Sequence, residues 1–394
     1  MRIPSWLKFA GMVIFKFVLI GYFWFFTGMS GWLAVLIPNA ISGIAIHHLM
    51  WQYIARYLIP DEARDKNFPA FRRYDNHRWS YAIFVPGALT VMLWRAYLGA
   101  GSLFWLVVWL KVVMIGHKWG KNPLTGFRLW ANWFGYMCCT GTIVTASFVR
   151  MKKHNVVHCD YSEYLGPDYL KTQQLPKKAS TIVSNHSSWL DSLILIFNCY
   201  PGFAAKIETK KIPILRECIQ NLQSIYISRG GTDKQRADNL NEILERQKLV
   251  EEDPRYPQIC IYPEGTQTNG THLLSFKKGA FLGMRAVQPV ILKYRWKNFS
   301  PTWEGMPFLS HCMMQFALFR WFVCDVYILP AFKPNDYLLE KHADKGSEPW
   351  EIFAWAVREV MAREGDFKLT SQTNGDKIAY KDFMTGKKDE LTWG

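Results

Sequence analysis

No C-x-x-C pair occurs in this chain, and no histidine cluster stands near its eight cysteines at zinc-ligand spacing. That excludes the usual structural zinc site and the thioredoxin-like redox centre. No metal and no resident cofactor is expected. Cys138, Cys139, Cys159, Cys199, Cys218, Cys260, Cys312 and Cys324 read instead as reduced, mostly buried thiols of a cytosol-like redox environment. Acidic residues are also scarce, 32 against 47 Lys and Arg, which leaves a formal charge of +15. Nucleic acid, anionic lipid and a phosphate-rich co-substrate all suit such a surface. No Arg-rich or RNA-reading motif accompanies the charge, so nucleic acid is not an expected partner. No internal repeat or low-complexity tract is visible.

Charge is missing altogether from Phe17 to Ala55. A spanning helix needs roughly 20 apolar residues, so this stretch can cross a bilayer once with tilt, or dip and return around Gly28, Gly31 and Pro38. Arg2, Lys8 and Lys16 precede it, and its apolar core is longer than that of a cleaved signal peptide, so it reads as a retained anchor. His47 and His48 at its far end read as interfacial side chains. Tyr81 to Leu110 is interrupted only by Arg95, and Leu129 to Val149 carries no charge. Two or three crossings, or a mixture of spans and re-entrant helices, fit these regions. Aromatics at 16% of the chain suit a lipid interface.

The character changes at Arg150. Thr181-Ile182-Val183, Ser224 to Ile227, Gln258 to Tyr262 and Pro289 to Tyr294 read as strands, with Val326 to Leu329 as a possible fifth. Helices are expected over Trp189 to Phe197, Gln235 to Glu251 and Glu348 to Glu364. Strands separated by helices predict an α/β fold with a largely buried sheet flanked by helices, preceded by an α-helical membrane region. The expected division is 1–149 for the membrane region, 150–375 for the α/β domain and 376–394 for a tail. Lys388-Asp389-Glu390-Leu391 is followed by three further residues, so it is not a C-terminal retention address.

Asn185-His186-Ser187-Ser188-Trp189-Leu190-Asp191 follows the first of these strands directly. A strand-to-helix turn can hold an Asp191 oxygen against one nitrogen of His186 and leave the other facing the open end of the sheet. That is two thirds of a serine-protease triad with the nucleophilic hydroxyl missing. An acceptor substrate can supply the hydroxyl, and His186 can remove its proton, a contribution of about 10²–10⁴-fold. A structural histidine at a helix N-terminus is the plain alternative. Tyr262-Pro263-Glu264-Gly265-Thr266 ends another strand. Gly265 lets backbone come close to a ligand. Glu264 can accept from a glycerol hydroxyl or support the loop, and an ordinary turn is again the plain alternative.

Together, in this order, the two motifs resemble the glycerolipid acyltransferase family. Its four blocks are followed here by His186 to Asp191, by Ile225-Tyr226-Ile227-Ser228-Arg229, by Tyr262 to Thr266 and by Val287-Gln288-Pro289-Val290-Ile291-Leu292. The continuation from Gln267 through Phe281 is similar to the lysophosphatidylcholine and lysophosphatidylethanolamine acyltransferases. The resemblance covers roughly residues 150 to 375. It implies transfer of a fatty acyl group from acyl-CoA to the free hydroxyl of a lysophospholipid, in phospholipid synthesis or remodelling. His186 and Asp191 are then catalytic, and Arg229, Glu264, Gly265, Thr266, Gln267 and Lys206 bind substrate. Members acting on lysophosphatidic acid usually carry Arg where this chain has Gln267, so the departure favours a substituted headgroup. Lys210 and Lys211 read as solvated surface charge. The lipid bilayer is the expected surroundings. The endoplasmic reticulum is implied as the organelle, with a mitochondrial membrane as the alternative. A competing expectation is a structural subunit of a membrane complex that keeps the fold with little turnover. A transporter would need buried charges along its membrane path, and only Arg95 and Lys111 offer themselves.

Overall fold

Thr181-Ile182-Val183 is β-branched, short and buried on both faces, the pattern of a central parallel strand covered by helices on each side. The computed structural model describes residues 32–59, 61–117, 122–156, 158–173, 176, 178–228 and 232–387. Its strands are β1 (Val149–Asn155), β2 (Thr181–Ser184), β3 (Gly202–Lys206), β4 (Ile225–Ile227), β5 (Ile259–Ile261), β6 (His272–Leu273), β7 (Val287–Arg295), β8 (Phe322–Ile328) and β9 (Lys368–Leu369). Seven of them form one sheet in the order β1-β8-β7-β2-β5-β3-β4, and β6 pairs with β9 separately. All pairings in the large sheet are parallel except β7 with β8. β2 and β5 are therefore parallel neighbours, and the loops leaving their C-terminal ends meet at one edge. Open parallel sheets place their ligands there.

The five expected strands are present, joined by β1 and β3. β1 reads Val-Arg-Met-Lys-Lys-His-Asn and sits at the sheet edge, where charged side chains face solvent and hide the apolar signal. β3 reads Gly-Phe-Ala-Ala-Lys, in which Phe203 alone has a marked strand preference. The helix Asp233–Glu252 starts at a capping box in which the Thr232 hydroxyl accepts from Gln235 N–H and the Gln235 side chain accepts from Thr232 N–H. Pro349–Gly365 also opens on a capping box and packs on β7, with Phe353, Val357 and Val360 fully buried.

The N-terminal part shares the core of the sheet. Ile46, Met50 and Ile54 of helix Trp32–Ile54 lie in one apolar cluster with Ile182, Leu190 and Leu292. His47, expected at an interface, is instead fully buried, its Nε2 3.3 Å from the Tyr81 carbonyl. The apolar stretch beginning at Tyr81 breaks near Thr90 into helices Tyr81–Leu89 and Met92–Val113. Among the described residues one helix, Met92–Val113, is long and apolar enough to cross a membrane. It packs beside Gly126–Ala146, where Gly135 lets the Trp109 ring lie against the backbone and donate to Ala131 O at 2.8 Å. Arg95 donates to the carbonyls of Phe316 and Leu318, both at 2.7 Å, and pins the long helix to the end of helix Phe308–Phe316. The expected division points, 149/150 and 375/376, fall within β1 and within a final helix, Asn374–Met384.

Candidate active site

The loop after β2 turns back on itself because Asn185 mimics a strand residue. Its side chain donates to Leu292 O at 3.0 Å and accepts from Leu292 N at 2.8 Å. The chain then enters helix Asp191–Cys199, whose first residue is Asp191. Asp191 Oδ2 lies 2.9 Å from His186 Nδ1 and also accepts the backbone N–H groups of Ser187 and Ser188 at 2.7 and 2.8 Å. Its Oδ1 accepts the Tyr294 hydroxyl at 2.6 Å. An ionised carboxylate only accepts, so Nδ1 carries the proton and Nε2 is left as the basic atom. The imidazole stacks on Tyr262, ring centroids 4.0 Å apart, and the Tyr262 hydroxyl meets Ser192 Oγ at 3.1 Å. Burial pushes the Tyr294 and Tyr262 phenols well above their ordinary range, so both hydroxyls stay protonated.

The loop after β5 supports the first. Glu264 is buried, and its two oxygens accept His186 N–H at 3.1 Å and Leu274 N–H at 2.9 Å. Burial pushes its carboxyl up to about 8, against the pull of those two N–H donors. Of the two roles open to Glu264, loop support is the one this geometry fits. Gly265 has φ +72°, a conformation that side chains rarely adopt. A Cβ there would meet Lys277 Nζ at 2.7 Å. The Gly265 N–H donates to Tyr262 O at 3.0 Å within the turn. Thr266 is buried behind the loop.

His186, Gly265, Lys277 and Lys206 line a cavity of about 1160 Å³. Its walls are otherwise mostly apolar, and they run from Trp189, Phe203 and Tyr262 to Leu103, Leu106 and Ile143 of the two long N-terminal helices. Gln267 lies off this wall, its carbonyl and Oε1 accepting Lys377 Nζ at 3.0 and 3.1 Å. Arg229 lies outside the described residues. Lys210 lies over the Tyr226 ring. Sequence reasoning missed Tyr294 and Lys277 as parts of the site and Lys377 as the partner of Gln267. Tyr294 and Lys277 stood within motifs that could have drawn attention, whereas Lys377 carried no local signal.

Residues 164–294, which hold all four sequence blocks, match the family described as Acyltransferase. This part of the chain belongs to the acyltransferase family. Among relatives of this acyltransferase region, Arabidopsis thaliana lysophospholipid acyltransferase LPEAT1 is 31% identical over 211 residues, 54% of this chain and 51% of that protein. Drosophila melanogaster lysophosphatidylcholine acyltransferase is 34% identical over 184 residues, 46% of this chain and 32% of its own length. Human lysophosphatidylcholine acyltransferase 2 is 31% identical over 198 residues, 50% of this chain and 34% of that protein. The chain thus spans about a third to a half of these curated relatives. The crystal structure of the 1-acyl-sn-glycerophosphate acyltransferase PlsC from Thermotoga maritima aligns with a TM-score of 0.44 at 19% identity, over 71% of this chain and 96% of that one.

Proposed function

We propose that this protein transfers a fatty acyl group from acyl-CoA to the free hydroxyl of a lysophospholipid at a bilayer surface. The observation that carries the reading is the cavity that joins His186 Nε2 to the long apolar helices. A hydroxyl acceptor and an acyl chain can both reach one basic nitrogen there. In the reaction, Nε2 takes the proton of the acceptor hydroxyl as its oxygen attacks the thioester carbonyl. The tetrahedral intermediate collapses, the C–S bond breaks, and the leaving thiolate takes the proton back from Nε2. Asp191 holds the imidazole in the required tautomer and stabilises the imidazolium. Lys277, which lies against Gly265 on the cavity wall, supplies a cation for the developing oxyanion.

Exposed apolar rings support the bilayer setting. Phe104, Trp105, Phe127 and Trp130 are each more than half exposed on helices Met92–Val113 and Gly126–Ala146. Monomeric soluble surfaces rarely gather such a patch, and aromatic residues favour the membrane interface.

The test is acyl transfer by the purified protein, offered a panel of lysophospholipids and acyl-CoAs. Product is expected with lysophosphatidylcholine or lysophosphatidylethanolamine in preference to lysophosphatidic acid. His186→Ala is expected to abolish transfer with the fold and membrane insertion intact, and activity within twofold of wild type would overturn the mechanism. No turnover with any acceptor by folded wild-type protein would favour the structural-subunit alternative.

A further inference from the structure

Strand β1 reads Val-Arg-Met-Lys-Lys-His-Asn. Alternation turns Arg150, Lys152 and His154 to one face, while Met151 and Lys153 turn to the other. Register then gathers more cations. Arg150 pairs through Val323 with Arg295, and Lys152 through Asp325 with Lys293, so these side chains share that face. Helix Pro349–Gly365 covers Ile291 on the same face and stops at Lys293, which donates to Gly365 O at 2.6 Å. Beyond that end Arg150, Lys152 and Arg295 are exposed. The loop after β7 and the turn before β8 add Lys297, Arg320 and Arg78, all exposed. Arg320 donates to Asn298 Oδ1 at 2.9 Å and Arg78 to Lys297 O at 2.5 Å. Among the described residues the carboxylates paired with this group are Asp325, held by Arg295 and His154, and Asp366, held by Lys293. Arg78, Arg150, Lys152, Lys297 and Arg320 form no ion pair among the described residues.

Aromatic surface meets this cationic end. Phe319 and Trp321, on either side of Arg320, are 56% and 53% exposed. Trp321 stacks on Phe148, and Arg95 of helix Met92–Val113 reaches both Phe148 and Phe319, 3.3 and 5.8 Å from their ring centroids. The two rings therefore continue the exposed stripe of that helix, formed by Trp94, Leu98, Trp105, Trp109 and Val112, whose spacing keeps to one helical face. The cations begin where the stripe ends. We propose that this end of the sheet docks on the anionic headgroups of the bilayer, so that the protein selects membranes rich in anionic phospholipid. This rests on the bilayer setting of the reading above and not on the chemistry at His186. Aromatic rings seat in the interface, and Lys and Arg beside them meet anionic headgroups through an attraction that fades within a Debye length. Continuity with the apolar helix favours lipid over an acidic protein as the occupant.

The test measures binding of the full chain to vesicles of phosphatidylcholine alone and of phosphatidylcholine mixed with phosphatidylserine. Wild type is compared with a variant carrying Arg150→Gln, Lys152→Gln, Lys297→Gln and Arg320→Gln together. Wild type is expected to bind the mixed vesicles about tenfold more tightly, and the gap should close at high salt. The variant should bind both vesicles as wild type binds phosphatidylcholine, with its melting temperature unchanged. Wild type that binds the two vesicles alike would overturn the proposal and turn the face toward an acidic protein. A folded variant that keeps the preference would overturn it as well. If the variant does not fold, the salt series on wild type decides, because a preference that survives high salt is not a charged contact. The two readings fail separately. An anionic preference in wild type without any acyl transfer leaves the docking face standing while the acyl-transfer reading falls. Acyl transfer without a preference has the opposite meaning.

Discussion

Asp191 accepts four hydrogen bonds, one from the imidazole it orients, two from backbone and one from Tyr294. The tyrosine bond fixes the carboxylate in the orientation that meets the imidazole. Tyr294→Phe should keep the fold and lower kcat/KM about tenfold, within the range of a hydrogen bond to a charged group. The loss comes from orientation, because Asp191 then keeps one contact fewer to hold it against His186 Nδ1. A kcat/KM within twofold of wild type would show that Tyr294 merely fills space. Glu264 makes a related case. Two N–H groups, from His186 and Leu274, need two acceptor oxygens, and Gln offers one acceptor and one donor. Glu264→Gln should therefore destabilise the loop by about 1–3 kcal/mol and cut transfer at least tenfold. Thermal melting and initial rates of the purified variant check both. The motifs marked His186, Asp191 and Glu264 as chemically interesting from sequence. They could not say that Glu264 faces backbone, because that depends on where the next loop lies.

The helix pair Met92–Val113 and Gly126–Ala146 presents aromatic rings on one side and cavity-lining residues on the other. Replacing Phe104, Trp105, Phe127 and Trp130 together by Ser removes exposed apolar area without touching the cavity wall. Vesicle binding should fall at least tenfold, while transfer to short-chain acceptors dissolved in detergent stays near wild type. Co-sedimentation with liposomes and a detergent assay read the two separately. Unchanged sedimentation would move the membrane contact elsewhere. These helices were legible as apolar runs, but the break near Thr90 was not. A continuous apolar pattern looks the same whether it is one helix or two, and packing of Gly87 directly on the Ala317 backbone sets the path of the chain there.

Across the whole molecule the N-terminal region and the sheet are tied by buried charge. Arg73 donates to Asp75 at 2.6 Å and to Glu304 at 3.1 Å, and to the carbonyls of Ser300 and Thr302. Asn269, five residues beyond Glu264, bonds the backbone of Pro69, Ala70 and Arg72. Removing one partner of a buried ion pair costs about 3–5 kcal/mol. Arg73→Met should lower stability by that order in detergent melts, and a fragment starting at Arg150 should fail to show a cooperative transition. A sharp melt from that fragment would mean that the region 150–375 is self-sufficient.

Local pattern determined the strand cores, the two candidate-site loops and their order along the chain, because burial on both faces and the His186–Asp191 spacing are properties of a few consecutive residues. Tertiary structure alone decided which distant groups complete the site. Tyr294 stands 103 residues from Asp191 and Lys377 stands 110 from Gln267. Parallel pairing of β2 with β5 and of β2 with β7 brings the first set of loops together. The helix Asn374–Met384 lies against the N-terminal loop, with Tyr380 beside Phe68 and Met384 Sδ accepting from Arg64, and meets Gln267 through Lys377. No short window of sequence encodes those distances, since they follow from sheet order, crossover packing and one shared apolar core.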